Sequence, residues 1–263
     1  YALLRLLLYP IRRQKHGRPG RYHEMGRKIN LFKEIRPSPR EKILIYAAGI
    51  CYILFISIDF IEFNPFNLSA KLKYLSIWIC FGITLFRFFS INRPGFSMEK
   101  KIGWINITAF FFTLSADYFL LFTEQYGLGI TLFCGVHIAR LYLFSTLKKR
   151  TEIIFWEAFF ASLIFFVCRS FIIAIASFYG FLILTVTIMS FRKLTFLADR
   201  YPVSKYLLRL GMILFCLCDI CVAVYNFPGS SYFISRLSGF LIWFFYLPAQ
   251  LLLSFLIPPP LSK

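Results

Sequence analysis

Apolar residues in this chain come in long unbroken runs, separated by short polar joints that are mostly basic. A helix needs about 20 such residues to cross the hydrocarbon of a bilayer. Backbone polar groups inside that hydrocarbon must pair within their own segment, which leaves the helix as the way to cross. The runs are 42–61, 72–91, 101–122, 127–147, 153–168, 170–190, 205–226 and 234–257. Only Arg169–Ser170 separates the fifth from the sixth. The stretch between Arg150 and Arg192 is too long for one crossing and is basic at both ends, so two crossings are read there. The expected fold class is all-α: a polytopic membrane protein, an eight-transmembrane-helix bundle.

The net charge of +18 raises the question of nucleic acid. The basic residues fall between the apolar runs, however, where they act as topology signals and form no groove-binding face. Nucleic acid is therefore excluded as a partner. Most of the 30 Lys and Arg, from the tail through Lys42, from Lys100 and Lys101, from Lys148 to Arg150 and from Arg192 to Arg209, fall on one side of the eight spans. The positive-inside rule then places both termini in the cytoplasm. Residues 1–41 read as a basic N-terminal tail, broken by Pro19, Gly20, Pro37 and Pro39, that anchors topology and attracts anionic membrane lipids. Residues 42–257 form the transmembrane domain and 258–263 a short C-terminal tail. The opening YALLRLLLYPIRR has too short an apolar run and no small-residue cleavage site for a signal peptide. The localisation expected is integral to a membrane and multi-pass, the cytoplasmic membrane in a bacterium.

Two aspartates interrupt this pattern, Asp117 in TAFFFTLSADYFLLF and Asp219 in GMILFCLCDICVAVY. A carboxylate in hydrocarbon costs several kcal/mol by order of magnitude, so such residues line cavities and carry function. Asn106, Thr113 and Asp117 are spaced by seven and four and share one helix face. Gly129, Phe133 and His137 share another, Gly211, Phe215, Asp219 and Ala223 a third, and Gly239, Tyr246 and Gln250 a fourth. Small residues beside polar ones let helices approach while the polar groups find partners. These stripes are expected to converge on one interior, open from mid-membrane toward the outer leaflet. Lys73 opens the second helix near the outer boundary, and Glu157 and Asp59 read as helix-end residues that reach the interface. The seven cysteines lie in or at the ends of apolar runs and read as small buried hydrophobes, including Cys218-x-x-Cys221.

At these residues the chain resembles the YhhN (lysoplasmalogenase) family. SADYFLLFTEQYGLGITLFCGVHIARLYLF is similar to its central signature, with a small residue and Asp closing one helix and Phe-x-x-x-His in the next. GMILFCLCDICVA resembles its second signature, YLPAQ its closing Tyr-x-x-Ala-Gln, and KYLSI its Lys-Pro-Leu-Thr element with Lys73 retained. The pieces occur in the family's order across about residues 42–257. Departures are Ala116 for Gly, Tyr74 for Pro, Cys218 for Ser and Arg140 where Tyr is common.

The resemblance implies eight transmembrane helices and a lysoplasmalogenase-like ether hydrolase. Such an enzyme cleaves the vinyl ether of a 1-alkenyl lysophospholipid to a fatty aldehyde and a glycerophospho-alcohol. That chemistry needs a carboxylic acid to protonate carbon and an anion to stabilise the oxocarbenium ion, the problem glycosidases solve with two carboxylates. Asp117 and Asp219 are the expected pair, with either as the acid. His137 is expected to orient water or tune one aspartate, Lys73 to meet the lipid phosphate, and Tyr246 and Gln250 to supply orienting hydrogen bonds. No cofactor is called. Two carboxylates and an imidazole, Asp117, Asp219 and His137, can hold a divalent ion, but the remaining histidines, His16 and His23, lie in the tail and are poorly placed to complete the site, so no metal is expected. The competing classes are a transporter using the buried acids as a proton relay and a catalytically silent lipid-binding relative.

Overall fold

The structure is a computed structural model that describes residues 37–61, 67–91, 97–192, 202–227, 229 and 231–256. The tails lie outside these residues, apart from the last few positions of the N-terminal one. The helices are α1 (Pro39–Ile61), α2 (Leu68–Phe89), α3 (Ser97–Phe122), α4 (Tyr126–Leu141), α5 (Leu147–Cys168), α6 (Phe171–Arg192), α7 (Pro202–Tyr225) and α8 (Tyr232–Ser254). By length and composition 7 of them can cross a membrane, and α4 is a shorter apolar helix. The described residues are thus all-helical, the fold of a multi-pass membrane protein.

Helix ends explain where the expected spans shift. α1 starts at Pro39 because Ser38 and Glu41 close a capping box: the Ser38 amide donates to Glu41 Oε2 at 2.6 Å and the Glu41 amide to Ser38 Oγ at 3.3 Å. Pro39 at the first helical position is preorganised for the helix and does not break it. α4 ends at Leu141, six residues before the expected 147, and the chain turns through Tyr142–Phe144. Leu143 and Phe144 are buried in that turn, so their apolar character serves packing outside a helix. The α5–α6 hairpin turns on Arg169–Ser170 as expected, with Arg169 at φ 53° donating its amide to Phe165 O. α5 begins at Leu147, earlier than read, and this places Glu157 midway along it and not at an end. Glu157 is buried and accepts from Thr185 Oγ1 of α6 at 2.6 Å.

Neighbour packing runs α2–α3–α4–α6–α7–α8 and returns from α8 to α2, which closes a ring of six helices. α1 packs outside this ring against α2 and α8, and α5 packs chiefly on α6. Two close approaches depend on glycine. A Cβ on Gly129 would meet Leu120 of α3 at 2.7 Å, and one on Gly211 would meet Leu253 of α8 at 2.9 Å. The outward faces carry large exposed apolar side chains such as Phe159, Phe166 and Ile188, the surface a helix shows to lipid.

Polar groups inside the bundle largely satisfy helix ends and helix irregularities. Arg209 of α7 donates to Ser190 O and Phe191 O, the last carbonyls of α6. Asn106, on the same face as Asp117, donates to Leu253 O near the end of α8 at 3.0 Å. α8 continues through Pro248, which has no amide hydrogen for the carbonyl of Phe244. Tyr52 of α1 donates its hydroxyl to that carbonyl at 3.2 Å. Tyr52→Phe should therefore cost about 1 kcal/mol, and the cost should vanish in a Pro248→Ala background. A denaturation series in detergent on the four proteins of this cycle checks it; equal costs in both backgrounds would contradict the account.

Candidate active site

Asp117 and Asp219 sit within the last two turns of α3 and α7, and each is engaged by its own tyrosine. Tyr246 of α8 donates to Asp117 Oδ2 at 2.7 Å, a bond that spans the ring, since α3 and α8 are not packing neighbours along it. Tyr179 of α6 donates to Asp219 Oδ2 at 2.7 Å. Asp117 and Tyr246 are both buried, whereas Asp219 and Tyr179 are partly accessible. Among the described residues no hydrogen bond joins the two carboxylates. Cys218, next to Asp219, lies within electrostatic reach of both.

The two tyrosine–aspartate pairs are joined by rings. Phe215 of α7 lies 5.5 Å from Tyr246 and 5.3 Å from His137, centroid to centroid. His137 is 5.3 Å from Tyr179. Phe133 of α4 touches Tyr179, Phe215 and Tyr246 at 5.9, 6.0 and 6.4 Å. The four-residue spacing of Phe133 with His137, and of Phe215 with Asp219, puts these groups on facing stripes of α4 and α7. The stripes seen in the sequence do face one another.

Deeper in the ring are polar groups without protein partners. His137 is fully buried, and neither of its ring nitrogens has a hydrogen-bond partner among the described residues. The same holds for Nε2 and Oε1 of Gln250, one turn beyond Tyr246 on α8. Gln250 does not reach either carboxylate by a hydrogen bond. Buried polar atoms of this kind call for water or a ligand. Arg140, one turn after His137, is also buried; its guanidinium stands 5.4 Å from the Phe215 ring centroid, and Nη1 is 3.8 Å from Met212 Sδ. It lies within electrostatic reach of Asp219, Tyr179 and Tyr246.

Lys73 lies in the second turn of α2 and is partly accessible. Its Nζ is 2.7 Å from Asp59 Oδ2 near the end of α1 and 5.0 Å from the Trp243 ring centroid. Trp243 in turn meets Tyr246 edge-to-face at 5.2 Å. A line of contacts thus runs from Asp59 through Lys73, Trp243 and Tyr246 to Asp117.

A sequence model of the YhhN family matches residues 72–257. The chain belongs to the YhhN family. The matched segment of this YhhN protein holds Lys73, Asp117, His137, Asp219, Tyr246 and Gln250, and it starts after Asp59. No curated protein and no solved structure matches the chain.

Tyr179 and Asp59 are the functional candidates missed in the sequence. Tyr179 had a signal, as the one tyrosine of the 170–190 span, beside Gly180. Asp59 had a weaker one, as a carboxylate near the end of an apolar run.

Proposed function

We propose that this YhhN protein is an integral-membrane lysoplasmalogenase-like hydrolase, cleaving the vinyl ether of 1-alkenyl lysophospholipids within the helix ring. The observation that carries the reading is the pair of tyrosine-bound aspartates on either side of one buried aromatic cluster, in a chain of this family.

Asp117 is the proton donor in this reading. Its carboxyl is buried together with Tyr246, and among the described residues no ion pair engages it. Asp219 is the anion, because the Arg140 guanidinium lies in electrostatic reach of it and, among the described residues, no such cation stands beside Asp117. Asp117 gives its proton to the vinyl carbon remote from oxygen, and the electron pair of the double bond forms the new C–H bond. The oxocarbenium ion that results faces Asp219. Water adds to its carbon and loses a proton to Asp219, leaving a hemiacetal. Collapse breaks the carbon–oxygen bond to glycerol, with the hemiacetal hydroxyl proton ending on the glycerol oxygen. One water is consumed, and transfer of the proton from Asp219 back to Asp117 resets the pair. The orphaned nitrogens of His137 suit the attacking water, and Gln250 suits a second polar contact.

Purified protein in detergent, given a lysoplasmalogen, should release one fatty aldehyde per glycerophospho-alcohol formed. Proton-coupled flux in liposomes without aldehyde would replace this reading with the transporter. Neither aldehyde nor flux would leave a lipid-binding relative.

A further inference from the structure

We propose that Asp59 and Lys73 form a headgroup site for a zwitterionic phosphoethanolamine, with Lys73 taking the phosphate and Asp59 the ammonium. The inference builds on the hydrolase reading and names the headgroup that this ion pair selects.

The first argument is the order of the groups. In an alkenyl lysophosphoethanolamine the vinyl ether is followed by glycerol, then phosphate, then the ammonium. In the protein, contacts run from Asp117 to Tyr246, Trp243, Lys73 and Asp59. Exposure rises along the same line: the Lys73 side chain is 13% exposed and that of Asp59 is 31%. A lipid with its reacting carbon at Asp117 would lay its phosphate toward the inner charge and its ammonium toward the outer one.

The second argument is how the pair is held. Ser69 donates to Asp59 Oδ1 at 2.5 Å, so the carboxylate is oriented by α2 while its Oδ2 faces Lys73. The lysine ammonium also stands 5.7 Å from the Phe55 ring centroid and 5.0 Å from that of Trp243. Those two rings are 5.6 Å apart, and the cation stands against both of them. An incoming zwitterion exchanges partners on both sides without leaving a charge alone, because its phosphate replaces the carboxylate at Lys73 and its ammonium replaces the lysine at Asp59.

The third argument concerns choice of headgroup. A primary ammonium donates charge-assisted hydrogen bonds to a carboxylate, and a trimethylammonium has no N–H to donate. A quaternary cation is instead recognised by open aromatic faces. Here the Phe55 and Trp243 rings already carry the Lys73 ammonium. The site therefore favours ethanolamine over choline.

The test uses saturated 1-alkyl lysophospholipids, which the hydrolase cannot cleave, and calorimetric binding to the purified full chain. The ethanolamine lipid should bind about tenfold tighter than the choline lipid, the scale of one charge-assisted hydrogen bond. Asp59→Asn should erase that difference, Asp59→Glu should keep a preference for ethanolamine, and Lys73→Met should weaken both lipids. Equal affinities in the unmodified protein, or a preference that survives Asp59→Asn, would overturn the proposal and point to a pair that only ties α1 to α2. Melting temperatures distinguish loss of recognition from loss of fold, and if Asp59→Asn does not fold the Asp59→Glu result decides. Because the lipids are inert, headgroup discrimination without aldehyde release from a lysoplasmalogen would sink the hydrolase reading and leave this one standing.

Discussion

Asp117→Asn should lower aldehyde release from a lysoplasmalogen at least about 100-fold, the lower end of what a positioned general acid contributes. The amide keeps the size of the side chain and can still accept from Tyr246, so the ring bridge between α3 and α8 survives while the transferable proton is lost. Asp219→Asn should fall comparably, since the oxocarbenium ion would then face Arg140 without a neutralising carboxylate. Tyr246→Phe and Tyr179→Phe each remove one hydrogen bond and leave the acids in place. Their expected losses are roughly tenfold. Residues acting as a unit give non-additive losses. Tyr246→Phe should therefore add little to Asp117→Asn, and Tyr179→Phe little to Asp219→Asn. Full activity in either aspartate variant, at unchanged melting temperature, would end the two-carboxylate mechanism.

The existence and order of the eight helices were legible because apolar runs are a strong signal and the joints between them are basic. Their ends were less so, for reasons that differ by residue. Ser-Pro-Arg-Glu at 38–41 is a capping box, but two prolines in three residues also read as a break. Tyr142, Leu143 and Phe144 look the same whether a helix continues or a buried turn begins. The misplaced start of α5 then carried Glu157 to the wrong depth.

The candidate site shows a similar split. Spacing by four identifies which side chains share a face of one helix, and it correctly grouped Phe133 with His137 and Phe215 with Asp219. It says nothing of which helix lies opposite. Spacing alone therefore gives Tyr179 no partner, because it does not place α6 beside α7, and the Lys73–Asp59 pair at 2.7 Å is likewise set by the packing of α1 on α2. The closing order of the ring, with α5 left outside, depends on tertiary packing that no local pattern encodes.

Glu41→Gln should destabilise the bundle by about 3–5 kcal/mol, the cost of breaking a buried ion pair by neutralising one member. Glu41 Oε1 accepts from Arg87 Nε, and the two side chains are only 3% and 2% exposed. The same arginine donates Nη1 to Phe255 O at 3.3 Å and lies over the Phe255 ring, 4.2 Å from its centroid. One cation thus joins the start of α1, the end of α2 and the residue that caps α8. Glu41 also closes the capping box of α1, but a cap contributes only about 1 kcal/mol, so the larger loss must come from removing the carboxylate charge beside Arg87. Arg87→Met alone should be similarly costly, because the carboxylate is then left without its cation. The double variant with Glu41→Gln removes both charges, and a buried pair replaced by neutral groups of similar size is close to neutral overall. It should therefore be more stable than either single variant. Denaturation in detergent on the four proteins measures this directly. Simple additivity of the two single losses would show that Glu41 and Arg87 act through separate contacts, and the joining of α1 to the ring would then rest on its apolar face and on Tyr52.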